Sequence, residues 1–110
     1  LRLGRTDEAI ESFERALETD FREQEPYLAL ANLELRRGNI ETSLDYSRRA
    51  LEVWPDLLPA HFLRFHASLE LPDLEQARRA LDTARLLAPD HPNLAELERL
   101  FDQFAEMERE

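Results

Sequence analysis

Residues 38–55 read Gly-Asn-Ile-Glu-Thr-Ser-Leu-Asp-Tyr-Ser-Arg-Arg-Ala-Leu-Glu-Val-Trp-Pro, and the pattern returns when the chain is read in steps of 34 residues. Backward, Gly38 falls on Gly4, Leu44 on Ile10, Ala50 on Ala16, Leu51 on Leu17 and Glu52 on Glu18. Forward, Ala50 falls on Ala84, Pro55 on Pro89 and Asp56 on Asp90, whereas Gly38 meets Pro72 and Leu44 meets Arg78. Ala9 and Ala77 stand in the column of Ser43. A period of this length signals a solenoid, whose units stack because none can bury its apolar face alone.

Helical spacing fills the units. Leu1 to Gly4 reads as the last turn of a helix closed by a left-handed glycine, after which Thr6 caps a second helix with Ile10, Phe13, Ala16 and Leu17 inward, ending near Asp20. Pro26 stands at the start of the next helix, where its missing amide costs nothing, and Tyr27, Leu28, Leu30, Ala31, Leu33 and Leu35 form a wide apolar set before Gly38. Asn39 caps a helix with Ile40, Leu44, Ala50, Leu51 and Val53 inward, stopped before Pro55. Pro59 opens a helix rich in Phe62, Leu63, Phe65, Leu69 and Leu71, which Pro72 ends. Asp73 and Gln76 make a capping-box pattern ahead of Leu74, Ala77, Ala80, Leu81, Ala84 and Leu87. Asp90 caps the last helix, with Pro92 in its first turn and Leu94, Leu97, Leu100, Phe101 and Phe104 as its stripe. No strand pattern occurs, and the loops of about three to five residues suit antiparallel neighbours.

A unit with a small residue and Leu in its first helix, Gly at the turn, then Ala and Pro, resembles the tetratricopeptide repeat. Unit two carries Tyr27, Leu30, Ala31, Gly38, Ser43, Ala50 and Pro55 in the family's slots; unit one supplies Gly4, Ala9, Phe13 and Ala16, and unit three Ala77, Leu81, Ala84 and Pro89. Three positions depart from the pattern: Ser47 stands where unit two should have a large residue, Phe21 replaces the terminal proline of unit one, and Pro72 replaces the turn glycine of unit three. Placing Phe62, Phe65, His66 and Leu69 in the hydrophobic and small slots of unit three requires one extra residue before its first helix and one fewer at the turn. The resemblance implies an all-α, right-handed superhelical solenoid of antiparallel helix pairs with about six helices. Its divisions are a partial first repeat over residues 1–21, a second over 24–57, a third over 58–90 and a C-terminal capping helix over 91–110.

Composition narrows the function. The formal net charge is −10, with 24 acidic residues against 14 basic ones, all arginine, so no basic surface is available for a phosphate backbone and no nucleic-acid partner is expected. The missing lysine fits either a coding bias toward arginine or adaptation to high salt, where screening relieves carboxylate repulsion. With no cysteine there is neither a disulfide nor a thiolate metal site. No apolar run is long enough for a membrane span and no leader is visible, so a cytoplasmic location without membrane association is expected.

In a stack of helix pairs the first helices line a concave groove. The resemblance implies that this groove holds a peptide, at Leu28, Ala29, Asn32, Leu35 and Arg36 in unit two. The corresponding slots are Leu63, Arg64, Ala67, Glu70 and Leu71 in unit three, and Ala95, Arg99, Asp102 and Gln103 in the last helix. Asn32 offers both a donor and an acceptor for a peptide backbone, and Arg36 and Arg64 offer forks for a carboxylate. The family's readers of chaperone tails use a basic clamp of Lys, Asn and Arg, and Leu28 occupies a slot where that clamp wants Lys. His66 and Glu70 lie four apart on one helical face, but His61 is turned away, and two ligands do not make a metal site. Without a phosphate loop or a nucleophile with its base, the chain reads as a protein-interaction scaffold rather than an enzyme, with no cofactor and no metal. Two readings stay open: a groove that holds a protein or peptide segment, or a structural spacer that self-associates weakly through Ile10, Phe13 and Leu17, which the incomplete first repeat would leave uncovered.

Overall fold

The computed structural model describes residues 2–20 and 22–109, with side chains from residue 4 onward. Its six helices are α1 (Arg2–Thr19), α2 (Gln24–Arg36), α3 (Ile40–Val53), α4 (Leu58–Glu70), α5 (Leu74–Leu87) and α6 (Leu94–Arg109). No strand occurs among the described residues, and none of these helices is long and apolar enough to cross a membrane. Leu1 and Phe21, used above for the opening stub and for the missing terminal proline, lie outside the described residues.

The repeat is followed residue for residue. From α2 and α3 to α4 and α5 the helix bounds move from 24 to 58, 36 to 70, 40 to 74 and 53 to 87, each a step of 34. The turns move with them: Asn39 N–H donates to the Glu34 carbonyl at 2.9 Å and Asp73 N–H to the Ser68 carbonyl at 2.7 Å. Trp54 N–H donates to Ala50 and Ala88 N–H to Ala84 in the same way. The inserted residue expected ahead of α4 is therefore absent, and the packing confirms the step, because Tyr27, Ala31 and Glu34 are buried in α2 as His61, Phe65 and Ser68 are in α4.

Chain direction is set by local chemistry. Gly38 takes φ of +86°, its N–H donates to the Leu35 carbonyl, and with the Asn39 to Glu34 bond it closes a left-handed cap on α2. Gly4 shares the column but not the conformation. α1 runs unbroken through both Gly4 and Thr6, so the expected stub and the Thr6 cap are corrected to a single helix. A helix-interior glycine costs only about 1 kcal/mol relative to alanine, and neither it nor its neighbours can force a stop. Asn39 precedes α3, but its side chain donates to the Glu34 carboxylate at 2.8 Å instead of capping. Asp73 does cap, accepting the Gln76 N–H at 3.1 Å, with the Gln76 amide on its second oxygen. α6 begins at Leu94, after Asp90 and Pro92, which lie in the preceding turn; there the His91 ring, not Asp90, accepts the Asn93 N–H at 3.1 Å.

Two apolar clusters form the core. One joins Ile10 and Leu17 of α1 to Tyr27, Leu30 and Ala31 of α2, Tyr46 and Ala50 of α3, and Ala60 of α4. The other joins Phe65 and Leu69 of α4 to Ala77, Ala80, Leu81 and Ala84 of α5, and Leu94 and Leu97 of α6. The uncovered strip expected on α1 is thus largely closed within the chain: α2 and α3 bury Ile10 and Leu17, and only Phe13 is half exposed. Val53, Leu71 and Leu87, read as core, are more than a third exposed because Val53 and Leu87 are the last residues of α3 and α5 and Leu71 is the first residue past α4. Trp54 packs its ring edge-on to Tyr27 at 5.9 Å, over the junction of α2 and α3.

Candidate functional site

α2, α4 and α6, the first helices of successive pairs, enclose a cavity of about 400 Å³ lined by Leu35, His66, Leu69, Glu70, Leu100 and Phe104. These residues share addresses. Stepping by 34 takes Asn32 to His66 and Leu100, Leu35 to Leu69, and Arg36 to Glu70 and Phe104. A single stripe on each helix, presented three times, therefore builds the walls.

Four walls are apolar and two side chains are polar. His66 is mostly buried, and that burial holds its imidazole below the usual histidine range, against the smaller opposing pull of Glu70 one turn on. A neutral imidazole offers one donor and one acceptor to whatever enters. The Glu70 carboxylate is exposed at the rim, and among the described residues no arginine lies within ion-pair distance of it. No group of three or more metal-ligating side chains occurs among the described residues. The buried His61 is turned to the Pro55 carbonyl, which its Nε2 meets at 2.8 Å.

Of the residues named from the sequence, Leu35 and Glu70 line the cavity. Asn32 and Arg36 stand exposed beside it on α2, free of hydrogen bonds and ion pairs to any described residue, and Leu28 is half-buried against the first core cluster. Arg64, Ala67, Arg99 and Asp102 do not join them. Ala67 is fully buried and presents no surface to a ligand. Arg64 points away, since it lies two residues before His66, about 160° around α4 from a side chain that lines the cavity. Arg99 is exposed and paired with Glu96, and Asp102 is exposed; neither lines the cavity. These misplacements have one cause, a phase error of one residue, which turns a helical side chain by about 100°. His66, Leu69, Leu100 and Phe104 were passed over, although stepping Asn32, Leu35 and Arg36 forward by 34 finds most of the cavity.

Comparison with known proteins agrees with the fold. Residues 1–22 match the family model of the tetratricopeptide repeat. No curated protein matches the sequence. A solved structure described as the first TPR of Spaghetti (RPAP3) bound to the HSP90 peptide SRMEEVD superposes with a TM-score of 0.83 over 93% of this chain and 83% of that one, at 20% identity. At that identity the likeness concerns the fold.

Proposed function

We propose that this chain, which folds as a solenoid of the tetratricopeptide-repeat type, serves as a protein-interaction scaffold, holding a peptide segment across α2, α4 and α6 with one apolar side chain seated in the cavity. The observation that carries the reading is the cavity itself, about 400 Å³ walled by Leu35, Leu69, Leu100 and Phe104. It has room for a large side chain, and burying one there contributes about 1.5–3 kcal/mol. Asn32 and Arg36 supply hydrogen bonds to the peptide backbone on the α2 side, and His66 supplies one donor or acceptor within the cavity.

The similar structure holds a peptide with two Glu and a terminal Asp. Here the rim carries the Glu70 carboxylate, the clamp position on α2 is Leu28, and the whole chain has a net charge of −10. Charge complementarity therefore favours a segment with an arginine or lysine beside its apolar anchor over an acidic tail.

Amide-resolved titration tests this. A short peptide carrying Leu or Phe next to Arg is expected to shift Leu35, His66 and Leu100 saturably, and Leu35→Glu to abolish the response. Equal or tighter binding of SRMEEVD would overturn the charge preference, and silence toward both peptides would overturn the groove reading.

A further inference from the structure

His66 and Glu70 are the two polar residues that line the cavity, and they stand one turn apart on α4. Side chains at that spacing lie about 5–6 Å apart at Cβ, close enough for one small group to touch both. Neither has a hydrogen bond or ion pair to any described residue, each other included. The imidazole rests edge-on against Phe65 at 5.4 Å, and its burial favours the neutral ring. A neutral imidazole presents an N–H, whereas the Glu70 carboxylate presents only acceptors.

The pairing occurs once in the stack. At the same addresses α2 has Asn32 and Arg36, which stand outside the cavity, and α6 has Leu100 and Phe104, which carry no polar side-chain atom. A complementary occupant must accept from the imidazole, donate to the carboxylate, and still fill an apolar space of about 400 Å³. Leucine and phenylalanine fill the space but leave both polar groups unpaired. Tryptophan donates and accepts nothing, and lysine and arginine only donate while setting a charge among four apolar walls. Serine, threonine, asparagine and glutamine have both functions but too little apolar surface for the walls. Tyrosine joins a large ring to a hydroxyl that donates and accepts at one atom.

On the premise that the groove holds a peptide segment, we propose that the cavity is a receptor for a tyrosine of that segment, its hydroxyl held between His66 and Glu70. The ring packs among Leu35, Leu69, Leu100 and Phe104, the phenol donates to the Glu70 carboxylate, and the His66 N–H donates to the phenol oxygen. Phosphorylating the tyrosine would remove the proton that the carboxylate takes and set a charge of about −1.5 to −2 beside it, so the site reads the unmodified side chain.

Amide-resolved titration of the 110-residue chain at neutral pH tests this with three peptides of one sequence, carrying Tyr, Phe or phosphotyrosine next to Arg. The Tyr peptide is expected to bind about fivefold tighter than the Phe peptide, and the phosphotyrosine peptide at least about tenfold weaker than Tyr. Glu70→Ala, at an exposed position, and His66→Leu, which installs the residue that α6 has at this address, should each bring the Tyr-to-Phe ratio toward one. Reading the ratio within each variant cancels any general change in affinity. A ratio of one or below in the parent, a ratio unchanged in either variant, or equal affinity for the phosphorylated peptide would overturn the tyrosine assignment and leave the groove with an apolar anchor. Silence toward all three peptides would overturn the groove reading itself, and this assignment with it.

Discussion

The Ser43 hydroxyl donates to the Ala31 carbonyl at 2.7 Å, from α3 onto the backbone of α2, and neither residue has any accessible surface. Two helices can approach this closely only if the residue between them is small. One repeat on, Ala77 and Phe65 hold the same addresses, so there the facing helix supplies the bulk. Ser43→Ala is expected to lose about 0.5–1.5 kcal/mol, the net worth of one hydrogen bond. Ser43→Leu should lose more than Ser43→Ala, because it wedges the pair apart. Urea midpoints at unchanged slope give the comparison, and equal losses would contradict the steric argument.

Ala50 and Ala84 occupy one column, both with essentially no accessible surface. Ala50→Leu is expected to cost about 1–3 kcal/mol through overpacking. Leu86, two residues past Ala84, is 84% exposed, and Leu86→Gln should stay within about 0.5 kcal/mol of the parent. Thermal melts of the two variants side by side check the contrast.

Arg78 stacks on the Phe101 ring at 4.3 Å while its guanidinium reaches Glu98 at 2.7 Å, with Arg85 on the same carboxylate. The hydrogen bond from Arg78 holds the Glu98 carboxyl below its usual range, outweighing the desolvation that would raise it. A depressed carboxyl stabilises the fold above its unfolded value near 4.5 and loses that contribution as pH falls toward the folded one. Glu98→Gln is expected to cost about 1 kcal/mol at neutral pH, at the upper end for partly exposed pairs, and less in molar salt. The loss should appear first as faster amide exchange in α6, which rests on α5 through this clip.

His66 gives a second pH dependence, in a different window. Its folded value is lowered by burial, so below about 6.5 the unfolded chain takes up the proton before the folded one does. Stability from this group is complete at higher pH and declines as pH falls from there to the depressed folded value. Urea midpoints measured from about pH 7.5 down to about pH 5.5 should fall for the parent and change less for His66→Gln. Parallel curves for the two proteins would remove the argument.

The helices and their pairing were legible because proline, glycine and the 34-residue step all act locally: Pro59 lies in the first turn of α4, Gly38 ends α2, and Asp73 caps α5. The site was legible on α2 and at Glu70 of α4. Reading unit three by residue type put Phe62, Phe65, His66 and Leu69 in its core slots; Phe65 and Leu69 are buried, but the small buried residue is Ala67, while His66 opens onto the cavity. Aromatic size outweighed position in that reading, although burial follows position, since the helix bounds advance by the same step whatever side chains they carry. The burial of Ile10 and Leu17 was hidden because their surroundings come from residues far along the chain: α2 and α3 together cover what one repeat seemed to leave open.

The columns that wall the cavity change character from helix to helix. Asn32 gives way to His66 and then Leu100, and Arg36 to Glu70 and then Phe104, so polar side chains at α2 become apolar ones at α6. A segment laid across the three helices would meet a hydrophilic pole at one end and a greasy one at the other. Turned end for end, the same segment would set its charges against Phe104 and its apolar anchor against Arg36. Forward and reversed copies of one peptide, identical in composition, are therefore inequivalent to this surface, and direction of travel becomes a property that it can discriminate.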